Sequence, residues 1–345
     1  MAEINVLEMR NLKTYFNLEE GTLKAVDGVD LLIPERKTVG VIGESGCGKS
    51  VTAQSILRIV PSPGRLVSGE ILLCSKGNGN GYEGEVIDLA SLDAKGEKIR
   101  NVRGKEISMI FQEPMTSLSP VHTIGDQIME AIFLHKTEDK EEARELALDM
   151  LGRVGISNPS QRIYEYPHQL SGGMRQRAMI AMALSCNPAL LIADEPTTAL
   201  DVTVQAQILD LMQHLQEQFG MSIMYITHDL GVIAEIAEEV NVMYLGRLVE
   251  RAPTVELFKN PQHPYTQRLL RSIPKVGRKA RVRLDSIKGT VPIPLDPPRQ
   301  CGFFSRCPEA MEGSCAVNVP PFTSLSERHE VRCFLHSSEV EAEDE

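Results

Sequence analysis

No stretch of these 345 residues is apolar for long enough to cross a bilayer. The longest, Met179 to Ala193, is interrupted by Ser185, Asn187 and Pro188, so no membrane-spanning helix is expected. The opening Met-Ala-Glu-Ile-Asn-Val has no basic segment followed by an apolar core, so no secretory leader is expected either. Positive charge is scarce: 36 Lys and Arg against 47 Asp and Glu leave a net charge of −11. Neutralising a phosphate backbone needs basic surface, which argues against general nucleic-acid binding. Part of the acidity is local, since 339–345 holds five acids in seven residues and reads as a solvated tail. The seven cysteines include no Cys-x2-Cys pair of the kind common in zinc sites. These absences lead to the expectation of a protein that is cytosolic, or attached to a membrane only through partners. An apolar fraction of 42% is ordinary for a globular chain, and the length suits one large domain with an appendage.

What is present begins with Gly43-Glu44-Ser45-Gly46-Cys47-Gly48-Lys49-Ser50. It has the form G-x-x-x-x-G-K-[ST], preceded by the apolar run Thr38 to Ile42 and followed by a helical pattern from Ser50 to Val60 that Pro61 and Pro63 end. Glycines let the backbone wrap an anion closely, so successive amides and the helix start point at phosphates. Lys49 would reach the β- and γ-phosphates and the Ser50 hydroxyl would hold Mg²⁺, which together predict a nucleoside triphosphate site.

Upstream, residues 4–42 read as short strands, with a hairpin end at 17–21 after Tyr15 and Phe16. An aromatic there can stack on a base or simply pack on the core. Further strands are expected at Val67 to Leu73, Glu85 to Leu89 and Ile107 to Phe111, with a Gly/Asn-rich loop tip at 77–84. Helices follow at Asp126 to Leu134 and Glu138 to Val154, the latter with Ala143, Leu146, Ala147, Met150, Leu151 and Val154 along one face. Ser171 is a natural N-cap before Gly172 and Gly173, a second helix start that could face an anion. The run Ala189 to Ala193 reads as a buried parallel strand ending in Asp194 and Glu195. Acids at that end lie where α/β sheets keep ligands, Asp194 for Mg²⁺ and Glu195 to accept a proton from water. Met221 to Thr227 is one more strand, ending at His228.

Taken in order, the upstream aromatic, Gly43 to Ser50, Gln112, Leu170 to Gln176, Leu190 to Glu195, Ala199-Leu200-Asp201 and His228 resemble the ATP-binding subunit of ABC transporters. Phe111 to Leu118, Asn260 to Thr266, Cys301-x5-Cys307-Pro308 and His329-x-Val331-Arg332-Cys333 narrow the resemblance to the oligopeptide/dipeptide/nickel importers. It implies an α/β P-loop NTPase fold: a RecA-like core with an antiparallel β subdomain over 1–112 and 171–255, and an inserted helical subdomain over 113–170. An extension with four cysteines would fill 256–338. Phe16 would stack on adenine, with Tyr15 as alternative. Gly43 to Val51 would hold ATP, Gln112 would sense Mg²⁺ and the attacking water, Asp194 would support Mg²⁺, Glu195 would be the general base and His228 would contact the γ-phosphate. Two subunits of this family meet head to tail, so Ser171, Gly172 and Gly173 would face ATP on a second, related ATP-binding chain, with Asp201 signalling across the interface. Segment 113–127 would touch one of two membrane permease subunits on the cytoplasmic face, served by an extracytoplasmic solute-binding protein. The solute is expected to be a peptide, with nickel or oligosaccharide as alternatives. A non-transport ABC ATPase is disfavoured because no sustained heptads separate Ser50 from Leu170, and a scaffold with a dead site because Lys49, Glu195 and His228 are all in place.

Cys301, Cys307, Cys315 and Cys333 are spaced x5, x7 and x17 in a proline-rich segment. A loop-rich segment of this kind needs a staple, and disulfides do not suit a reducing compartment. Four thiolates can hold zinc or a 4Fe-4S cluster, or stay unligated. The resemblance places the 4Fe-4S cluster first.

Overall fold

The computed structural model describes residues 4–74, 84–112, 117–198, 200–272, 287, 289–293 and 295–337. Twelve strands run along the described chain: β1 Asn5–Leu18, β2 Gly21–Pro34, β3 Thr38–Ile42, β4 Gly64–Cys74, β5 Val86–Asp88, β6 Ile107–Ile110, β7 Leu190–Asp194, β8 Ser222–Ile226, β9 Glu239–Tyr244, β10 Arg247–Pro253, β11 Phe322–Ser326 and β12 His329–Arg332. They fall into two compact units.

The first unit comprises Glu8–Leu32, Thr38–Ile71 and the chain from Ile226 onward. One sheet in it is ordered β11-β12-β10-β9-β3. Strand β3 runs parallel to β9, with Val41 opposite Asn241, while β9 and β10, β10 and β12, and β12 and β11 are antiparallel. Every residue of β3 is buried, as its unbroken apolar run requires. Strands β1, β2 and β4 form a second layer in the order β2-β1-β4. β1 and β2 have 14 residues each, longer than the short strands the sequence suggests. The expected first strand, Asn5 to Arg10, continues past the exposed Arg10 and Asn11, and its Met9, Leu12 and Thr14 are buried.

The end of the chain is built into the first of these sheets. Glu250 on β10 is completely buried, and its carboxylate accepts from the backbone N–H groups of Gln262 (2.7 Å) and His263 (2.9 Å). His329 Nε2 on β12 lies 2.8 Å from the same carboxylate. Tyr244, Tyr265 and Phe303 pack as an aromatic cluster with centroids 4.7–5.4 Å apart.

The second unit comprises the chain up to Leu7, Ile33–Lys37 and Leu72–Tyr225. Its strands are ordered β8-β7-β6, β6 and β7 being parallel with Ile110 opposite Ala193, beside an antiparallel β4–β5 pair. The helix Ile124–His135 starts on a capping box in which Thr123 and Asp126 exchange hydrogen bonds. The helix Lys140–Arg153 starts on Asp139, whose carboxylate accepts from the Glu142 N–H, and buries Ala143, Ala147, Met150 and Leu151 along the expected face. The Gly/Asn-rich insert up to residue 83, residues 113–116 of the segment expected to touch a permease, Ala199 and the acidic tail lie outside the described residues.

Candidate nucleotide-binding site

In the first unit, β3 delivers the chain into the loop Gly43–Lys49, and the helix Lys49–Ile56 leaves it. Two glycines are required by close approach. A Cβ on Gly43 would come 2.3 Å from the Met243 carbonyl oxygen, and one on Gly48, at φ +102°, would come 2.1 Å from the Ala25 carbonyl oxygen. Gly46 faces open space, and Ser45 and Gly46 are exposed. The N-cap is Gly48, so no side chain occupies the first-turn amides of the helix, and that end is open to an anion. Lys49 is buried, and its Nζ donates to the carbonyls of Gly43 (2.8 Å) and Glu44 (3.2 Å). Its third N–H points to the Cys47 Sγ at 3.8 Å, a weak sulfur contact that a phosphate oxygen would replace. Ser50 and Val51 are half-buried in the first turn. Burial pushes the Cys47 thiol up, against the pull of nearby Lys49.

Tyr15 and Phe16 point to opposite faces of β1. The Tyr15 hydroxyl donates to Asp27 (2.5 Å), which also forms a two-pronged pair with Arg247. Burial works against ionisation of Asp27, but Arg247 and Tyr15 leave its carboxyl below the ordinary carboxylate range. Phe16 packs its ring edge against Gly64, on the face where the Thr14 hydroxyl meets Ser55 of the loop helix at 2.8 Å. The Thr227 N–H donates to the Val41 carbonyl at 3.3 Å, which brings the exposed His228 in alongside the strand that feeds the loop.

In the second unit, Asp194 and Glu195 are buried at the end of the fully buried β7. Glu195 has a positive φ of 49°, uncommon for a residue with a side chain. Its Oε2 accepts from the Thr198 hydroxyl (2.9 Å) and from Gln112 Nε2 (3.3 Å). Gln112 is itself exposed at the end of β6. Ser171 caps the helix Gly172–Leu184 by accepting from the Met174 N–H, and this helix start is exposed. Asp201 caps the helix Val202–Phe219, accepting from Thr203 and Val204. A Cβ on Gly173 would come 3.1 Å from Val204 Cγ1, so the two helix starts lie side by side.

A family model described as ABC transporter matches residues 26–198, half of the chain. The chain belongs to the ABC transporter family. A second model, oligopeptide/dipeptide transporter, C-terminal region, matches residues 249–315 of the same chain. A putative peptide import ATP-binding protein of Brucella ovis is 49% identical over 339 residues, covering 96% of this chain and 98% of its own. The oligopeptide transport ATP-binding protein AppD of Bacillus subtilis is 50% identical, covering 97% of this chain and 98% of its own. Among solved structures, the dimeric cassette MJ0796 is 26% identical with a TM-score of 0.61, covering 72% of this chain and 98% of that one. A post-hydrolysis state of MJ0796 bound to ADP and Pi is 27% identical with the same score. The cassette is therefore an ABC-type ATPase, and ATP is its nucleotide. Among the described residues no helix is long and apolar enough to cross a membrane.

The expectation of a metal group in the cysteine segment is corrected. Among the described residues no group of three or more His, Cys, Asp or Glu is placed to hold a metal ion, so Cys301, Cys307, Cys315 and Cys333 form neither a 4Fe-4S nor a zinc site. All four are free thiols. Burial, with the other cysteines of the segment adding to it, pushes the Cys301 thiol up to about 12 and Cys333 up to about 11. The segment is held instead by the Glu250 carboxylate, the aromatic cluster and the strands β11 and β12. Two further groups, each holding a candidate residue within its own unit, escaped sequence reasoning. Thr198 had a local signal, a hydroxyl three residues beyond Glu195 in a turn. Arg306, which binds Glu44, had none.

Proposed function

We propose that this chain is the ATP-hydrolysing subunit of a peptide importer, working on the cytoplasmic face of a membrane with a second ATP-binding chain and two permease subunits. The observation that carries the reading is end-to-end similarity to peptide-import ATP-binding proteins, through the C-terminal region as well as the cassette. Gly43 to Val51 bind the triphosphate through backbone amides and Lys49. The Ser50 hydroxyl and Asp194 are the groups that would hold the Mg²⁺ travelling with ATP. Phe16 stacks on adenine. It shares a strand face with Thr14, which contacts the loop helix, while the Tyr15 hydroxyl is committed to Asp27. Glu195, oriented by Thr198 and Gln112, takes a proton from the attacking water, and His228 contacts the γ-phosphate. The exposed helix start at Ser171, Gly172 and Gly173 supplies an anion-facing terminus to ATP held by the other cassette, with Asp201 beside it. Loss of the γ-phosphate removes the charge that both sides bind, and the pair reopens.

The test is Glu195→Gln in the assembled transporter. ATP turnover should fall about 100-fold or more, in the range a general base supplies, with ATP binding retained. Turnover equal to the parent would refute the assignment.

A further inference from the structure

We propose that Arg306 is a positioning residue of the nucleotide site, through which the C-terminal region sets the conformation of the phosphate loop. This rests on reading Gly43 to Ser50 as the ATP site. The Arg306 side chain is 5% exposed, and its guanidinium forks onto the Glu44 carboxylate, Nη1 to Oε2 at 2.7 Å and Nη2 to Oε1 at 3.0 Å. Nη1 also donates to the Tyr244 hydroxyl (3.2 Å), and Nη2 to the Gly289 carbonyl (3.2 Å). The Tyr265 hydroxyl accepts from the Glu44 N–H at 2.8 Å, and that ring is completely buried against Tyr244 and Phe303. The second residue of the loop is thus gripped by side chain and backbone from positions 262 and 221 residues further along.

The grip bears on nucleotide because of what Glu44 does inside the loop. Its carbonyl accepts from Lys49 Nζ and from the Cys47 N–H, so its position sets both the lysine and a loop amide. Its carboxylate carries the same sign as the phosphates it would face. A bidentate guanidinium neutralises that charge and holds it to one side, which leaves the loop ready for an anion. Without Arg306 the carboxylate would be uncompensated at the mouth of an anion site.

Calorimetric binding of MgATP to the full-length chain tests this, with the thermal melting point recorded for each variant. Arg306→Ala should weaken MgATP binding about 10-fold, equivalent to about 1.4 kcal/mol, and Arg306→Lys should recover part of the loss. Adding Glu44→Gln to Arg306→Ala should restore at least about threefold, because the unpaired charge is then gone. A staple that merely stabilised the fold would lower the melting point without this charge-dependent rescue. The proposal is overturned if folded Arg306→Ala binds MgATP within about twofold of the parent, or if Glu44→Gln brings no relief. If Arg306→Ala does not fold, Arg306→Lys and Arg306→Gln carry the same comparison, and parent-like affinity in both overturns it. Lys49→Ala separates the two readings: binding unaffected by that change would refute the site itself, whereas binding lost in Lys49→Ala but kept in Arg306→Ala refutes only the role of Arg306.

Discussion

Glu195 is held by Thr198, three residues on, and by Gln112 at the end of a neighbouring strand. Glu44 is held by Arg306 and Tyr265, each more than two hundred residues downstream. Two acids from two nucleotide-site motifs are therefore supported in opposite ways. The first arrangement is largely local: a strand ends, the chain turns at a positive φ, and a nearby hydroxyl orients the carboxylate. The second exists only because β10 and β12 bring the end of the chain into the sheet that contains β3. A motif names the groups that meet the nucleotide. It does not name what keeps them in place.

The sharpest way to break the comparison is to remove the remote support at its centre. Glu250→Ala deletes the acceptor for the backbone N–H groups of Gln262 and His263 and removes the nearer of the two carboxylates beside His329, leaving Glu256 at 3.8 Å. Breaking a buried, hydrogen-bonded charge of this kind costs about 3–5 kcal/mol. Denaturant melts should show that loss, and MgATP affinity should fall with it, because the aromatic cluster and Arg306 are anchored in the same region. A fully stable Glu250→Ala chain would mean that the end of the chain does not support the loop.

A milder probe is pH. His263 is completely buried, and burial, with His336 nearby, lowers it to about 3. Its Nδ1 accepts from the Tyr265 N–H, which requires that nitrogen to be unprotonated. The unfolded chain takes up a proton here below about pH 6.5 while the folded chain does not. The stability contributed by this residue is therefore complete above about pH 6.5 and is lost progressively as pH falls towards 3, at up to about 1.4 kcal/mol per pH unit. His263→Asn should flatten the fall in unfolding free energy between pH 6.5 and 4 by up to that slope. An unchanged slope would show that His263 charges freely in the fold.

The smallest expected effect tests the local support. Thr198→Ala removes one hydrogen bond to Glu195, leaving Gln112. A net contribution of about 1 kcal/mol predicts ATP turnover about fivefold lower with nearly unchanged MgATP affinity. A large loss of affinity instead would mean that the turn at Glu195 depends on distant contacts as the phosphate loop does.

Legibility followed the same division. The buried strands β3, β7 and β8 could be read because a parallel strand covered on both faces is an unbroken apolar run. Capped helices such as Ile124–His135 and Lys140–Arg153 could be read from their start signals and apolar spacing. The long strands β1 and β2 were read too short, because exposed polar residues in mid-strand look like a turn until the partner strand is known. The cysteine segment was read as a metal site because four thiolates can hold one and the resemblance placed a 4Fe-4S cluster first, and the placement of the side chains corrects it.

By itself the sequence singled out the proposed phosphate loop, the acids at the end of β7, the two capped helix starts and the family, because each is set by residue type at short spacing. The tertiary structure alone decided that Arg306 and Tyr265 grip Glu44, that Glu250 gathers the end of the chain, and that the four thiols are not placed as a metal-holding group. The contacts of His329 with Glu250 and of Tyr265 and Arg306 with Glu44 join positions 79, 221 and 262 residues apart, and the chain must close long loops before they form. Spacing along the chain holds no record of which distant groups will meet.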